Sequence, residues 1–422
     1  MELQLFDVAA LLLILAASFG LLNHHFVKLP FAIGMMVASM VASLLVLGID
    51  VAAPASGIGG VVRETVVNID FTEALLEGML GFLLFAGALH TDLDSLKKEF
   101  GPIMALASIG LFISTAIVGV GSWYIFGLFG VEVSLIYCLV FGSLISPTDP
   151  VAVLGIMRAA GAPEEIEVKI VGESLFNDGF AVVLFSVLLG IAVGAGHGHG
   201  GVGVASIMSL IGKEVVGGIG LGLGAGYVVY RGMSTLDEPN LEILMSVALV
   251  MGISFFAFRF HMSAPLGCVV AGILIGNRGR TMAMSERTRQ DLDVVWSFID
   301  ETLNAVLFLL IGLEVFAIPF QGGNVGAALV LIPGALFARF IGVVIPMTAY
   351  QIRRTFRKGA RRVLTWGGLK GGISIALAMS LPEFPGRDTV LTATYAVVVF
   401  SILAQGLTVG TVVRRVLETA GD

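Results

Sequence analysis

The sequence predicts an all-helical integral membrane protein with two of its helices broken at mid-membrane. Three observations carry that prediction. Of 422 residues, 57% are hydrophobic and 13% charged, with a mean hydropathy of +0.97, whereas a soluble domain carries about 25% charge. The chain divides into apolar runs of about 20 residues, the length that crosses ~30 Å of hydrocarbon. Two of those runs hold a charge inside a cluster of helix breakers, SPTDP at 146–150 and GGLKGG at 367–372.

Taken in order, periodicity and breakers predict thirteen spans. The run 5–23 follows MELQ with no basic n-region and no small-residue cleavage site, so it reads as a span and not as a removed signal. The run 30–48 opens at Pro30, and 74–90 closes at His90. The run 101–129 opens at Gly101-Pro102, 133–157 contains SPTDP, and 166–194 contains the polar cluster GESLFND. The run 203–230 is glycine-rich from Gly217 to Gly226; it follows no strand, so its GxGxxG-like spacing reads as close helix packing and not as a nucleotide loop. Then come 240–258, 262–276, 296–317, 325–350, 362–382 with GGLKGG, and 389–412. GHGHGGVG at 196–203 reads as a loop, and His197 and His199 as part of it and not as a metal site.

Charge tests that count. Eighteen Lys and Arg fall in the loops after odd-numbered spans or in the first turn of the span that follows, and three, Arg63, Arg259 and Arg387, in the other loops. Basic residues stay on the cytoplasmic side, so the N-terminus is expected outside and the C-terminus in the cytoplasm, as for a bacterial inner membrane protein. Spans 1–6 and 8–13 match in number around span 7, which inverts the second half against the first. Breakers occupy the fifth span of each half, and in inverted-repeat transporters such matching interruptions lie at the substrate site. Cys138 and Cys268 sit in apolar runs and read as free buried thiols.

The chemistry rests in charges placed within spans. A carboxylate at bilayer depth costs at least ~2.5–3.5 kcal/mol and marks a functional site by default. Asp149 lies between Pro147 and Pro150, whose missing donors free mid-membrane carbonyls as ligands for a hard cation. In span six, Ser174 and Asp178 are four apart and share a helix face, with Asn177 beside them; Glu173 lies about 140° round from Asp178. Asp178 thus suits a transported ion, and Glu173 a fixed partner. Arg339 cannot discharge and needs a carboxylate, for which Glu173 is the best candidate; Lys370 compensates charge at the second break. Asp149, Glu173 and Asp178 against Arg339 and Lys370 leave one net negative charge, which one monovalent cation or one proton can neutralise. Glu77, Glu214, Glu242, Glu314 and Lys213 are expected to reach the interface, while Asp300, Glu301 and Asn304 are candidates to line a path. No GxGD, HExxH or GxSG pattern lies in a suitable span, so an enzyme is not expected, nor is a cofactor or a nucleic acid partner.

GESLFNDG, with SPTDPVAV before it and ARFIG and GGLKGGISIALAMSLP after it, resembles the monovalent cation:proton antiporter family, in particular its bacterial NhaP-type branch, which is related to eukaryotic sodium/proton exchangers. The resemblance implies exchange of Na⁺, and possibly Li⁺, for H⁺ by alternating access, with K⁺/H⁺ antiport or a cation channel as alternatives. It implies cation and proton binding at Asp178, with Asp149 and Thr148 at the crossing of the broken helices and Ser174 and Asn177 in support. It further implies a Glu173–Arg339 ion pair and a homodimer in lipid, with spans 1–3 and 7–10 as scaffold and spans 4–6 and 11–13 (about 101–194 and 325–412) as mobile core. The Asn-Asp pair of span six implies electroneutral exchange. Lys370 stands where relatives usually have Arg, and Ala86 stands in a stretch where some carry an acid.

Overall fold

The computed structural model describes residues 5–53, 60, 71–196, 204–316, 318, 322–351 and 359–421. His197, His199, Arg63 and the basic run Arg353 to Lys358 lie outside the described residues. Among those described, the structure is helical throughout; its one extended pairing is a bridge between Asp149 and Leu369. Eight helices among them are long and apolar enough to cross a membrane.

The helices used below are α1 (Leu5–Leu22), α2 (Phe31–Ala52), α3 (Leu80–Leu89) and α4 (Leu93–Leu128, bridged by a π-helical turn at Leu106–Gly110). Next are α5 (Leu135–Ile145), α6 (Val151–Ala159), α7 (Glu164–Gly196), α8 (Val204–Met233), α9 (Pro239–Phe260), α10 (Ala264–Leu274) and α11 (Glu286–Leu313). The rest are α12 (Gly322–Gln351), α13 (Ala360–Trp366), α14 (Gly372–Met379), α15 (Arg387–Phe400) and α16 (Gly406–Gly421).

Several helices outrun their apolar runs. The fourth span begins at Leu93 and not at 101 because LDSLKKEF adds two amphipathic turns outside the apolar run, capped by Asp92, which accepts from the Ser95 amide at 2.7 Å. That bond holds the Asp92 carboxyl below the usual carboxylate range. Likewise α11 starts at Glu286, capped by Ser285, and not at 296. Apolar length reports hydrocarbon thickness; the caps decide where the helix stops.

Packing is set by small residues, since apolar side chains gain nothing from leaving lipid and close backbone contact decides which helices meet. On α8, Gly218 and Gly222 lie against the Ser263 and Gly267 carbonyls at the start of α10, and Gly226 lies on Ala271. On α4, the Gly110 carbonyl meets Gly342 of α12, and Thr115 meets Gly142 of α5. α4 and α7 thereby pack around α5, and α12 packs on α4 and α15. Elsewhere α2 packs on α11, and α3 and α8 on α10. Cys138 and Cys268 are buried free thiols.

Candidate functional site

The two breaker clusters meet. After α5 the chain leaves the helix at Ser146, runs extended through Thr148 and Asp149, and re-enters at Val151; after α13 it does the same from Gly367 to Gly371 before α14. The segments touch along their backbones, the Asp149 amide donating to the Leu369 carbonyl at 2.8 Å. Four half-helix ends therefore point into one buried region.

Three of the four ends are met by a charge of the sign their dipole favours. The Asp149 carboxylate accepts from the Val151 amide at 2.9 Å, at the N-terminus of α6. The Lys370 ammonium donates to the Ser146 and Pro147 carbonyls at 2.8 and 3.2 Å, at the C-terminus of α5. Arg339, from α12, donates through Nη2 to the Leu364 carbonyl of α13 at 2.8 Å. The carbonyls that the prolines free were expected to serve a cation; two of them serve Lys370 instead, because its four-carbon stem brings an ammonium into reach.

Arg339 also makes a two-pronged pair with Glu173 on α7, Nη2 to Oε2 at 2.9 Å and Nη1 to Oε1. Both side chains are almost fully buried. The guanidinium lies so close to Gly368 that a β-carbon there has no room, and the Asp149 carboxylate excludes one at Gly371. These two glycines of GGLKGG are thus required by what packs on them as well as by the break.

One turn along α7 lies the second acid. Asp178 is buried; the Ser174 hydroxyl donates to it, and Asp149 and Lys370 lie within electrostatic reach. Lys370 in turn feels Arg339, Glu173 and Asp178, so the five charges share one neighbourhood. Asn177 donates to the Thr148 hydroxyl at 2.9 Å and ties α7 to the first break, while its Oδ1 has no hydrogen-bond partner among the described residues. That leaves a buried amide oxygen beside a buried carboxylate, an oxygen donor set that suits a hard monovalent cation. Among the described residues no three His, Cys, Asp or Glu side chains converge as a metal cluster.

A cavity of about 1050 Å³ reaches this region and is lined by Asp149, Ser174, Asp178, Asp300, Glu301 and Asn304. It runs past Leu154 and Gly155 to Arg158 at the end of α6. Asp300 and Asn304 are joined by a 3.1 Å hydrogen bond. Ala86 does not line the cavity; α3 presents Leu83, Leu84 and Gly87 to it, and the Ala86 carbonyl accepts from His90. Glu242 and Glu314, expected at an interface, are buried instead (0% and 4% exposed), because neighbouring helices enclose the ends of theirs.

Ser401 and Gln405 escaped the sequence reading. The Lys370 amide donates to the Ser401 hydroxyl, which donates to Gln405, whose amide reaches the Trp366 carbonyl. The pair pins both ends of the second break from the π-helical turn Ser401–Gln405. Two polar residues four apart in an apolar span were the available signal.

Comparison with known proteins gives the family. The family model for the transmembrane sodium/hydrogen exchanger matches residues 12–415. The Na⁺/H⁺ antiporter NhaP of Pseudomonas aeruginosa is 44% identical over 419 residues, covering 97% of this chain and 96% of its own. The Na⁺/H⁺ antiporter NhaH of Halobacillus aidingensis is 35% identical over 352 residues, covering 82% and 83%. The solved sodium proton antiporter MjNhaP1 of Methanocaldococcus jannaschii shares the fold, with a TM-score of 0.71 over 99% of this chain and 100% of that one, at 15% identity.

Proposed function

The chain belongs to the sodium/hydrogen exchanger family and is a cation/proton antiporter of the membrane, and from that premise we propose how its residues work. Asp178 is the shared site, binding either Na⁺ or a proton. Asn177 Oδ1, the Ser174 hydroxyl, Thr148 and Asp149 complete the oxygen shell when the cation is bound. The carrying observation is the deficit of one positive charge among five groups, four of them buried and Asp149 partly so, that face one another at the end of an open cavity. One cation or one proton fills it, so exchange is one for one and electroneutral.

The gate is electrostatic. A loaded, neutral Asp178 can move through an apolar surrounding, and an empty, charged one is held by its desolvation cost. Glu173–Arg339 keeps α7 and α12 together as one piece during the move, and Lys370 holds the first break to the second. Thirteen spans in two inverted halves provide the two access routes, with the N-terminus outside and the C-terminus in the cytoplasm of a bacterial inner membrane. Spans 4–6 and 11–13 are the moving core, and spans 1–3 and 7–10 the scaffold through which two copies pair. Arg158, at the cavity mouth, belongs to the lysine- and arginine-rich side, so the state described here faces the cytoplasm.

The test is dequenching of a pH dye in everted vesicles on addition of Na⁺, Li⁺ and K⁺ in turn. Na⁺ and Li⁺ are expected to release protons. A proton gradient raised by neither ion would remove the exchange reading, and ion flux that cannot raise one would make the protein a channel.

A further inference from the structure

The exchange cycle needs a way in from the outer side as well as the inner one. Asn304 and Leu307 line the cavity from α11. Steps of three and four residues continue the same face through Ile311 to Glu314. The face therefore reads polar at Asn304, apolar at Leu307 and Ile311, and acidic at Glu314, which lies about 10 Å beyond Leu307 at 1.5 Å per residue. Leu307 and Ile311 are buried, and Leu307 packs against Gly372 at the second break.

Glu314 is an expensive residue where it stands. It is 4% exposed, and its Oε2 has no hydrogen-bond partner among the described residues. It lies just past the C-terminus of α11, where the helix dipole repels a negative charge. A buried carboxylate without a counter-charge requires a cation or a proton. Tyr395 of α15 lies within its electrostatic reach.

We propose that Glu314 is the outer counterpart of Asp178, the carboxylate that takes Na⁺ or a proton from the external solution once Leu307 and Ile311 part. This rests on the exchange reading above and on its orientation, and it adds a second ion-handling acid on the opposite side of an apolar gate.

Right-side-out and everted vesicles carrying wild type, Glu314→Gln or Tyr395→Phe test it through the Na⁺ concentration for half-maximal exchange. Wild type must exchange in both orientations, and its failure to do so counts against the exchange reading itself. Glu314→Gln is expected to raise the half-maximal Na⁺ about tenfold in right-side-out vesicles, the loss of one charge-assisted contact, and to leave everted vesicles within about twofold. Tyr395→Phe is expected to shift the same orientation by less. An unchanged value in right-side-out vesicles, or an equal rise in both orientations, overturns the assignment. Should Glu314→Gln fail to reach the membrane, Glu314→Asp, which keeps the charge and shortens the side chain, is measured in both orientations and decides on the same criterion.

Discussion

Asp178 and Glu173 are five residues apart on one helix, yet their surroundings differ sharply. Glu173 is closed off by a bidentate guanidinium, whereas Asp178 faces a cavity with a hydroxyl and an unpartnered amide oxygen beside it. Asp178→Asn removes the site's charge and is expected to abolish exchange in everted vesicles while leaving the protein folded; remaining Na⁺-driven proton release would contradict its role. Glu173→Gln strands a buried Arg339, which costs about 3–5 kcal/mol for a broken buried pair. The variant is expected to melt well below wild type in detergent, and the double variant Glu173→Gln/Arg339→Gln to regain part of that loss. If the double variant is no more stable than the single, the pair is not what stabilises this region. The pairing itself was legible in the sequence, since an arginine inside a span has few possible partners. The Lys370 contacts were not, because a lysine stem reaches carbonyls on a different helix that no spacing reveals.

At the scale of elements, the breaks depend on glycines as much as on prolines. A methyl at Gly371 collides with the Asp149 side chain, and one at Gly368 with Arg339. Gly371→Ala is therefore expected to displace Asp149, lowering exchange about tenfold or more, the effect of about 1.4 kcal/mol, with expression unchanged; wild-type rates would show that the contact yields freely. On α8 the same logic is purely structural. Gly222→Leu drives a side chain into the Gly267 backbone and is expected to lower thermal stability in detergent without altering the ion selectivity of whatever protein still folds. Breakers announce both interruptions in the sequence. Ser401 and Gln405, which hold the second in place, look in isolation like ordinary polar residues tolerated within a helix.

For the whole molecule, the proposed competition at one carboxylate makes a prediction about pH. A cation that needs Asp178 deprotonated competes with protons, so the apparent Kd for Na⁺ rises as pH falls through the titration of the sodium-free site. The limiting slope is about one decade per pH unit for a single shared proton. Half-maximal Na⁺ measured at successive pH values in everted vesicles is expected to follow that slope on the acid side and level off on the alkaline side. A flat line would mean that sodium and protons bind at separate places.

Composition, run length and the distribution of lysine and arginine were enough to predict a helical membrane protein, because the bilayer imposes one length, one backbone solution and one charge bias on any chain that crosses it. Breakers and in-span charges marked the residues of the site for the same reason: each is costly in lipid and stands out against the apolar background. Which charge meets which depended on helix crossing and side-chain reach, and only the folded chain shows that Lys370 holds the first break, that Ala86 turns away from the cavity and that Glu314 is enclosed. Those contacts join residues up to some two hundred positions apart, and nothing local in the chain determines them.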